Sequence, residues 1–176
     1  MKTFITNRKG QRIAVVVEEN PEAKGLVFVM HGLGGFKEQP QMQMFAEVFF
    51  ENGYTTVLFD TTNTLGESEG QYEDGTFGSY YEDLEDVIAW ASSQGWYQEP
   101  FCMIGHSLGS FCTALYAENF PEKVKGLAPI STVVSGRLIK DSPYFKQNAA
   151  EWKNTGWKIT ESVSKPGVTK RLPWSF

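Results

Sequence analysis

The sequence predicts an α/β protein: a mostly parallel sheet flanked by helices. Three observations carry that expectation. Short β-branched or wholly apolar runs alternate with stretches of helical periodicity, which is the pattern of strand–helix–strand units. Two of those runs, "GLVFVM" (25–30) and "TTVLFD" (55–60), are of the kind expected of strands buried on both faces. Glycine-rich turns follow the strand ends, where such sheets place their ligands.

The elements follow in order. "RIAVVVE" (12–18) is β-branched and short, hence a strand, and 25–30 is the next. A helix should open near Pro40, with Met42, Phe45, Ala46 and Phe49 at helical spacing and Gly53 ending it. After strand 55–60 comes the best-patterned helix. Phe77, Tyr80, Tyr81, Leu84, Val87, Ile88 and Ala91 fall on one apolar stripe, and Ser79 with Glu82 could form a capping box. The acidic residues Glu82, Asp83, Glu85 and Asp86 in that helix read as a solvated face, not a metal site. "FCMIGH" (101–106) is a strand, "LGSFCTALYAENF" a helix closed by Pro121, and "VKGLAPIS" (124–131) a further strand.

The texture then changes. Residues 1–136 carry eight Lys/Arg against eighteen Asp/Glu, a net −10, and residues 137–176 carry eight against three, a net +5. This divides the chain into an N-terminal core, 1–134, and an incomplete lid or cap segment, 135–176. In the latter, Ser142 caps a helix with Pro143 in its first turn and Gly156 as its stop. "WKITESV" and "VTKRL" flank "SKPG" as a hairpin.

Composition excludes several classes. A chain of 176 residues, 41% hydrophobic and 21% charged, with a net charge of −5, has no general affinity for nucleic acid or anionic membranes. No apolar run is long enough for a signal peptide or a membrane span, and a cytoplasmic setting is expected. Cys102 and Cys112 have no metal or redox spacing and read as reduced, buried thiols.

The chemistry centres on Gly105-His106-Ser107-Leu108-Gly109, a G-x-S-x-G with a strand before it and a helix after it. In that context the turn presents the serine hydroxyl at the top of the sheet, and the helix N-terminus favours a developing oxyanion. "HGLGG" (31–35) follows a buried strand, where an oxyanion loop belongs. One N–H would come from Leu108 and one from Leu33.

Together these motifs resemble the α/β-hydrolase superfamily, in particular its lidded serine esterases and lipases, over essentially the whole chain. In that family an Asp-x-x-Gly-x-Gly-x-Ser stretch closes the loop after the strand that ends at Asp60. Here "DTTNTLGES" departs from it, with Asn63 where the first glycine belongs and one residue inserted.

The resemblance implies Ser107 as nucleophile, with acid and histidine following it in chain order. No histidine occurs after His106, and Asp141 is the one aspartate after Ser107. His106 should point away from the hydroxyl, and His31 should orient the oxyanion loop. The expectation is therefore a carboxylic-ester hydrolase of which this chain is an N-terminal portion, inactive or very weak alone. The triad acid and histidine would come from missing sequence or a second chain. Without further strands, 124–131 would be an open apolar sheet edge inviting self-association. No cofactor and no metal are implied. Tyr144, Phe145, Trp152 and Trp157 point to an ester with an apolar or aromatic acyl group. A non-catalytic binding protein, or an acyltransferase or perhydrolase on the same machinery, stands as the alternative. An aspartate-nucleophile dehalogenase is excluded by the serine at 107.

Overall fold

Alternating side chains dictate the layers. In the computed structural model, which describes residues 1–176, every residue of strand β3 (Gly25–Met30) is buried. Its even-numbered members, Leu26, Phe28 and Met30, join the larger core cluster, while Val27 and Val29 join the smaller one on the opposite face. The sheet contains β1 (Lys2–Thr6), β2 (Arg12–Glu18), β4 (Tyr54–Phe59), β5 (Phe101–His106) and β6 (Val124–Ile130) as well. Its spatial order is β1-β2-β4-β3-β5-β6. The pairs β4–β3, β3–β5 and β5–β6 are parallel, whereas β1 and β2 run antiparallel at one end.

Helix α1 (Pro40–Glu51) covers one face through Met42 and Ala46. Helices α2 (Phe77–Ala91) and α3 (Leu108–Asn119) cover the other, where Tyr80, Leu84, Val87, Leu108, Cys112 and Tyr116 close the larger cluster. The expected α/β class with a mostly parallel sheet flanked by helices is what forms. No helix is long and apolar enough to cross a membrane.

Several local expectations change. Strand β1 went unrecognised because its burial is one-sided, with Ile5 its one buried residue. The capping box of α2 is shifted by three residues. Thr76 caps the helix by accepting from Ser79 N, and the Ser79 hydroxyl receives Thr76 N–H in return. Asp83 is not solvated. It is buried and accepts hydrogen bonds from Asn7 Nδ2 (2.9 Å), Thr62 N (2.6 Å) and the Thr62 hydroxyl (2.7 Å). It thereby ties α2 to the loop beyond β4. Cys112 is buried, but Cys102 is only partly so, and both are free thiols with pKa raised by burial.

Beyond the sheet, α4 (Gly136–Asp141) and α5 (Pro143–Thr155) precede a separate hairpin, β7 (Trp157–Glu161) and β8 (Thr169–Pro173). Ser142 caps α5 by accepting from Phe145 N, and Gly156 ends it in the left-handed conformation at φ 76°. β6 pairs on one side only and contains no fully buried residue.

Candidate active site

The turn between β5 and α3 forces Ser107 to φ 53°, ψ −114°, a conformation that L-residues avoid. Its neighbours must be glycines for reasons of space. A Cβ on Gly105 would stand 2.5 Å from the Gly109 carbonyl oxygen and 2.6 Å from Ser110 Cα. On Gly109 it would stand 2.3 Å from the His31 carbonyl oxygen. Helix α3 thus starts directly against the end of β3, and the two motifs are one structure. Gly32 completes the contact, since a Cβ there would lie 3.0 Å from Ser107 Cβ.

Leu108 opens α3, so its N–H has no acceptor within the helix. Leu33 lies in the loop after β3 and lines a cavity of about 130 Å³ together with Ser107. The floor of that cavity is the Gly32–Gly35 loop with Gln39, Gln41 and His106, and its roof is Val163, Ser164 and Lys170 from the hairpin. The roof is fastened. Gln39 Nε2 donates to the Ser164 hydroxyl (2.6 Å), Lys165 Nζ donates to the Leu65 carbonyl and lies 4.5 Å from the centre of the Phe36 ring.

Neither histidine serves Ser107. His31 is buried with both ring nitrogens engaged: Nδ1 pairs with the Gly32 carbonyl (2.8 Å), and Nε2 accepts from Thr61 N–H (3.1 Å). An acceptor Nε2 requires the proton on Nδ1, which therefore donates to Gly32. Burial pushes its pKa down, so the ring stays neutral. It braces the loop and has no lone pair left for the serine. His106 makes no hydrogen bond to the Ser107 hydroxyl, and its Nδ1 lies toward Gly32.

Sequence reasoning missed the support beneath the loop. Lys37 and Asp60 are both almost wholly buried, with Lys37 Nζ 2.8 Å from Asp60 Oδ2. The backbone N–H groups of Lys37 (2.7 Å) and Glu67 (2.8 Å) bind the same carboxylate. Glu38 and Glu67 approach the ammonium from the surface. These three carboxylates are spaced to hold a cation, and Lys37 already supplies it. Gly66 is required here, because a Cβ would fall 2.2 Å from the Asp60 carboxyl carbon. Asn63 adopts φ 57°, the region glycine would occupy, and its side-chain oxygen accepts from Gln71 N (3.1 Å). Asn63 thus takes a left-handed conformation that glycine adopts freely, at the position where the family pattern has glycine.

The aromatic residues are elsewhere. Phe145, Trp152 and Trp174 pack on one another, with Trp152 Nε1 donating to the Leu172 carbonyl. Tyr144, Trp152 and Trp157 line a separate cavity of about 210 Å³ between α5 and β7. None of the four aromatics used to infer the acyl group lines the cavity at Ser107, so that argument loses its basis.

The family model of the X-Pro dipeptidyl-peptidases, the S15 family, matches residues 9–173. The chain belongs to the S15 family. With it comes membership of the α/β-hydrolase superfamily, as the solved folds agree. The S15-family chain superposes on Est1E from Butyrivibrio proteoclasticus, solved with ferulic acid bound, with a TM-score of 0.71. Identity is 21%, over 97% of this chain and 67% of that one. For α/β-hydrolase domain-containing protein 10 from mouse the TM-score is 0.74 at 22% identity, over 100% of this chain and 67% of that one. A putative hydrolase from Agrobacterium vitis S4 gives 0.76 at 14% identity, over 100% and 69%. No curated protein matches the sequence. The S15-family chain therefore spans about two thirds of the length of these solved relatives.

Proposed function

We propose that this S15-family chain carries the nucleophile and oxyanion hole of a serine hydrolase acting on carboxylic esters. Ser107 Oγ attacks the acyl carbon, and the N–H groups of Leu33 and Leu108 stabilise the tetrahedral oxyanion. The tetrahedral adduct collapses with cleavage of the ester C–O bond, the alcohol leaves as an acyl-enzyme forms on Ser107, and water then cleaves that ester to release the acid and free serine. The observation that carries the reading is the strained Ser107 held between β5 and α3, facing the loop that contains Leu33. The hairpin 157–173 acts as the lid, because it roofs the same cavity.

In this proposal the general base and its acid partner come from polypeptide outside these residues, a reading supported by the engagement of both His31 ring nitrogens with backbone. Residues 1–176 alone keep only what a positioned serine and an oxyanion hole give, about 10³–10⁴-fold over water.

A second reading, hydrolysis of peptides from a free N-terminus, is favoured by the family match. The same nucleophile would serve it. Labelling the longest natural form with a fluorophosphonate and mass mapping tests the shared core: the adduct should fall on Ser107 and vanish in Ser107→Ala. Esterase and dipeptidyl anilide assays on the longest natural form then separate the two readings. An adduct elsewhere, or one that persists in Ser107→Ala, sinks the nucleophile assignment.

A further inference from the structure

The charge step near Gly136 has a location in three dimensions. The basic segment folds back so that its hairpin roofs the nucleophile's cavity, and it brings Lys170 into the cavity wall. The Lys170 stem passes across Gly34, with Cδ 3.2 Å from where a Cβ on that glycine would stand. Arg171 beside it is engaged with Glu73, and Lys165 with the Leu65 carbonyl. Lys170 has no carboxylate within ion-pair distance. No aspartate or glutamate lines the cavity, and the other polar groups there are neutral amides, hydroxyls and the His106 ring. The start of α3 adds a second positive contribution, from unpaired N–H groups and the helix dipole.

We infer that Lys170 is a specificity-determining residue that selects a short acyl group ending in a carboxylate. The inference rests on Ser107 as the nucleophile of the proposed hydrolase. The volume suits a short group: about 130 Å³ is close to the size that holds a benzene ring. The charge sets the terminus. An ammonium-bearing substrate would meet a like charge with no acid to balance it, whereas a carboxylate would complete an unpaired cation.

The test uses binding, so that it does not depend on turnover. Amide NMR shifts of the full chain are followed while adding N-methylsuccinamate, which carries one carboxylate, or neutral N-methylpentanamide. The proteins are wild type, Ser107→Ala, Lys170→Met and Lys170→Arg. The anion should shift the amides of residues 33–35 and 107–108 in wild type and in Ser107→Ala. It should bind at least about tenfold more tightly than the neutral amide, the value of one charged hydrogen bond. Lys170→Met should lose that margin and Lys170→Arg keep it, with unchanged shifts in β3 and β5 showing that both fold. Equal binding of the two probes, full anion affinity in Lys170→Met, or shifts away from this cavity would each overturn the inference. Because Ser107→Ala retains the cavity, a positive result there alongside failed phosphonate labelling would reject the nucleophile and leave the anion site standing.

Discussion

Replacing Lys37 by Met removes the ammonium and keeps most of the stem volume. The side chains of Lys37 and Asp60 are 1% and 0% exposed, so the change strands a buried carboxylate. Removing one partner of a buried pair costs about 3–5 kcal/mol. Two backbone N–H groups still hold Asp60, at 2.7 and 2.8 Å, which places the expected loss at the lower end, about 3 kcal/mol. The contacts to Glu38 and Glu67 add little, because those side chains are 48% and 41% exposed. With a urea slope of about 1–3 kcal/mol per molar, the unfolding midpoint should fall by about 1–3 M. Pairing the change with Asp60→Asn removes the stranded charge, so the double variant should be more stable than the sum of the singles by at least about 1 kcal/mol. A midpoint shift below about 0.3 M, or strict additivity in the cycle, would refute the claim that this ion pair anchors the loop after β3.

Three further outcomes follow from the same geometry. Gly109→Ala places a Cβ 2.3 Å from the His31 carbonyl oxygen, so α3 must move away from β3. It should cost about 1–3 kcal/mol in urea unfolding and slow phosphonate labelling of Ser107; unchanged labelling would count against the shared construction of the two motifs. Glu67 is held down at about 2 by hydrogen bonds from Lys2 and Lys37, below its ordinary 4.5. Its stabilisation is present above 4.5 and lost as pH falls toward 2, so the gap in urea midpoint between wild type and Glu67→Gln should close over that window. His31, pushed below 6.5 by burial, resists protonation when folded, so its contribution is present above 6.5 and lost as pH falls beneath it. Ring nitrogen shifts should show the Nδ1–H tautomer at neutral pH, and an Nε2–H tautomer would contradict the bond from Thr61.

The parts of the fold legible in sequence are those with a single local solution. β3 and β5 form over the residues their apolar runs mark, and α5 ends where Ser142, Pro143 and Gly156 place its limits. β1 was hidden because an end strand buries so little that no run of apolar residues is needed. The burial of Asp83 was readable in principle. It sits three residues after Tyr80 and four before Val87, on the apolar stripe of α2, and the surrounding acids masked it. A carboxylate on a buried stripe signals a hydrogen-bond hub, which is what Asn7 and Thr62 make of it.

The site divides along the same physical line. Backbone segments that touch admit almost no residue but glycine, so Gly32, Gly105 and Gly109 leave a pattern that can be read without coordinates. The strain at Ser107 leaves none, because a serine in that conformation looks like any other serine in the chain. Asn63 shows the limit of such patterns: the backbone here is left-handed, asparagine tolerates that conformation, and a search for glycine at this position finds none. The cavity wall is less legible still. Gln39 follows the Gly32–Gly35 loop by a few residues, but Ser164 and Lys170 arrive from a hairpin far along the chain. No spacing rule connects them to Ser107, and only the change in charge near Gly136 hints that the later segment complements the earlier one. What lines a pocket is set by which distant elements meet there, and composition records that meeting only as a difference in sign.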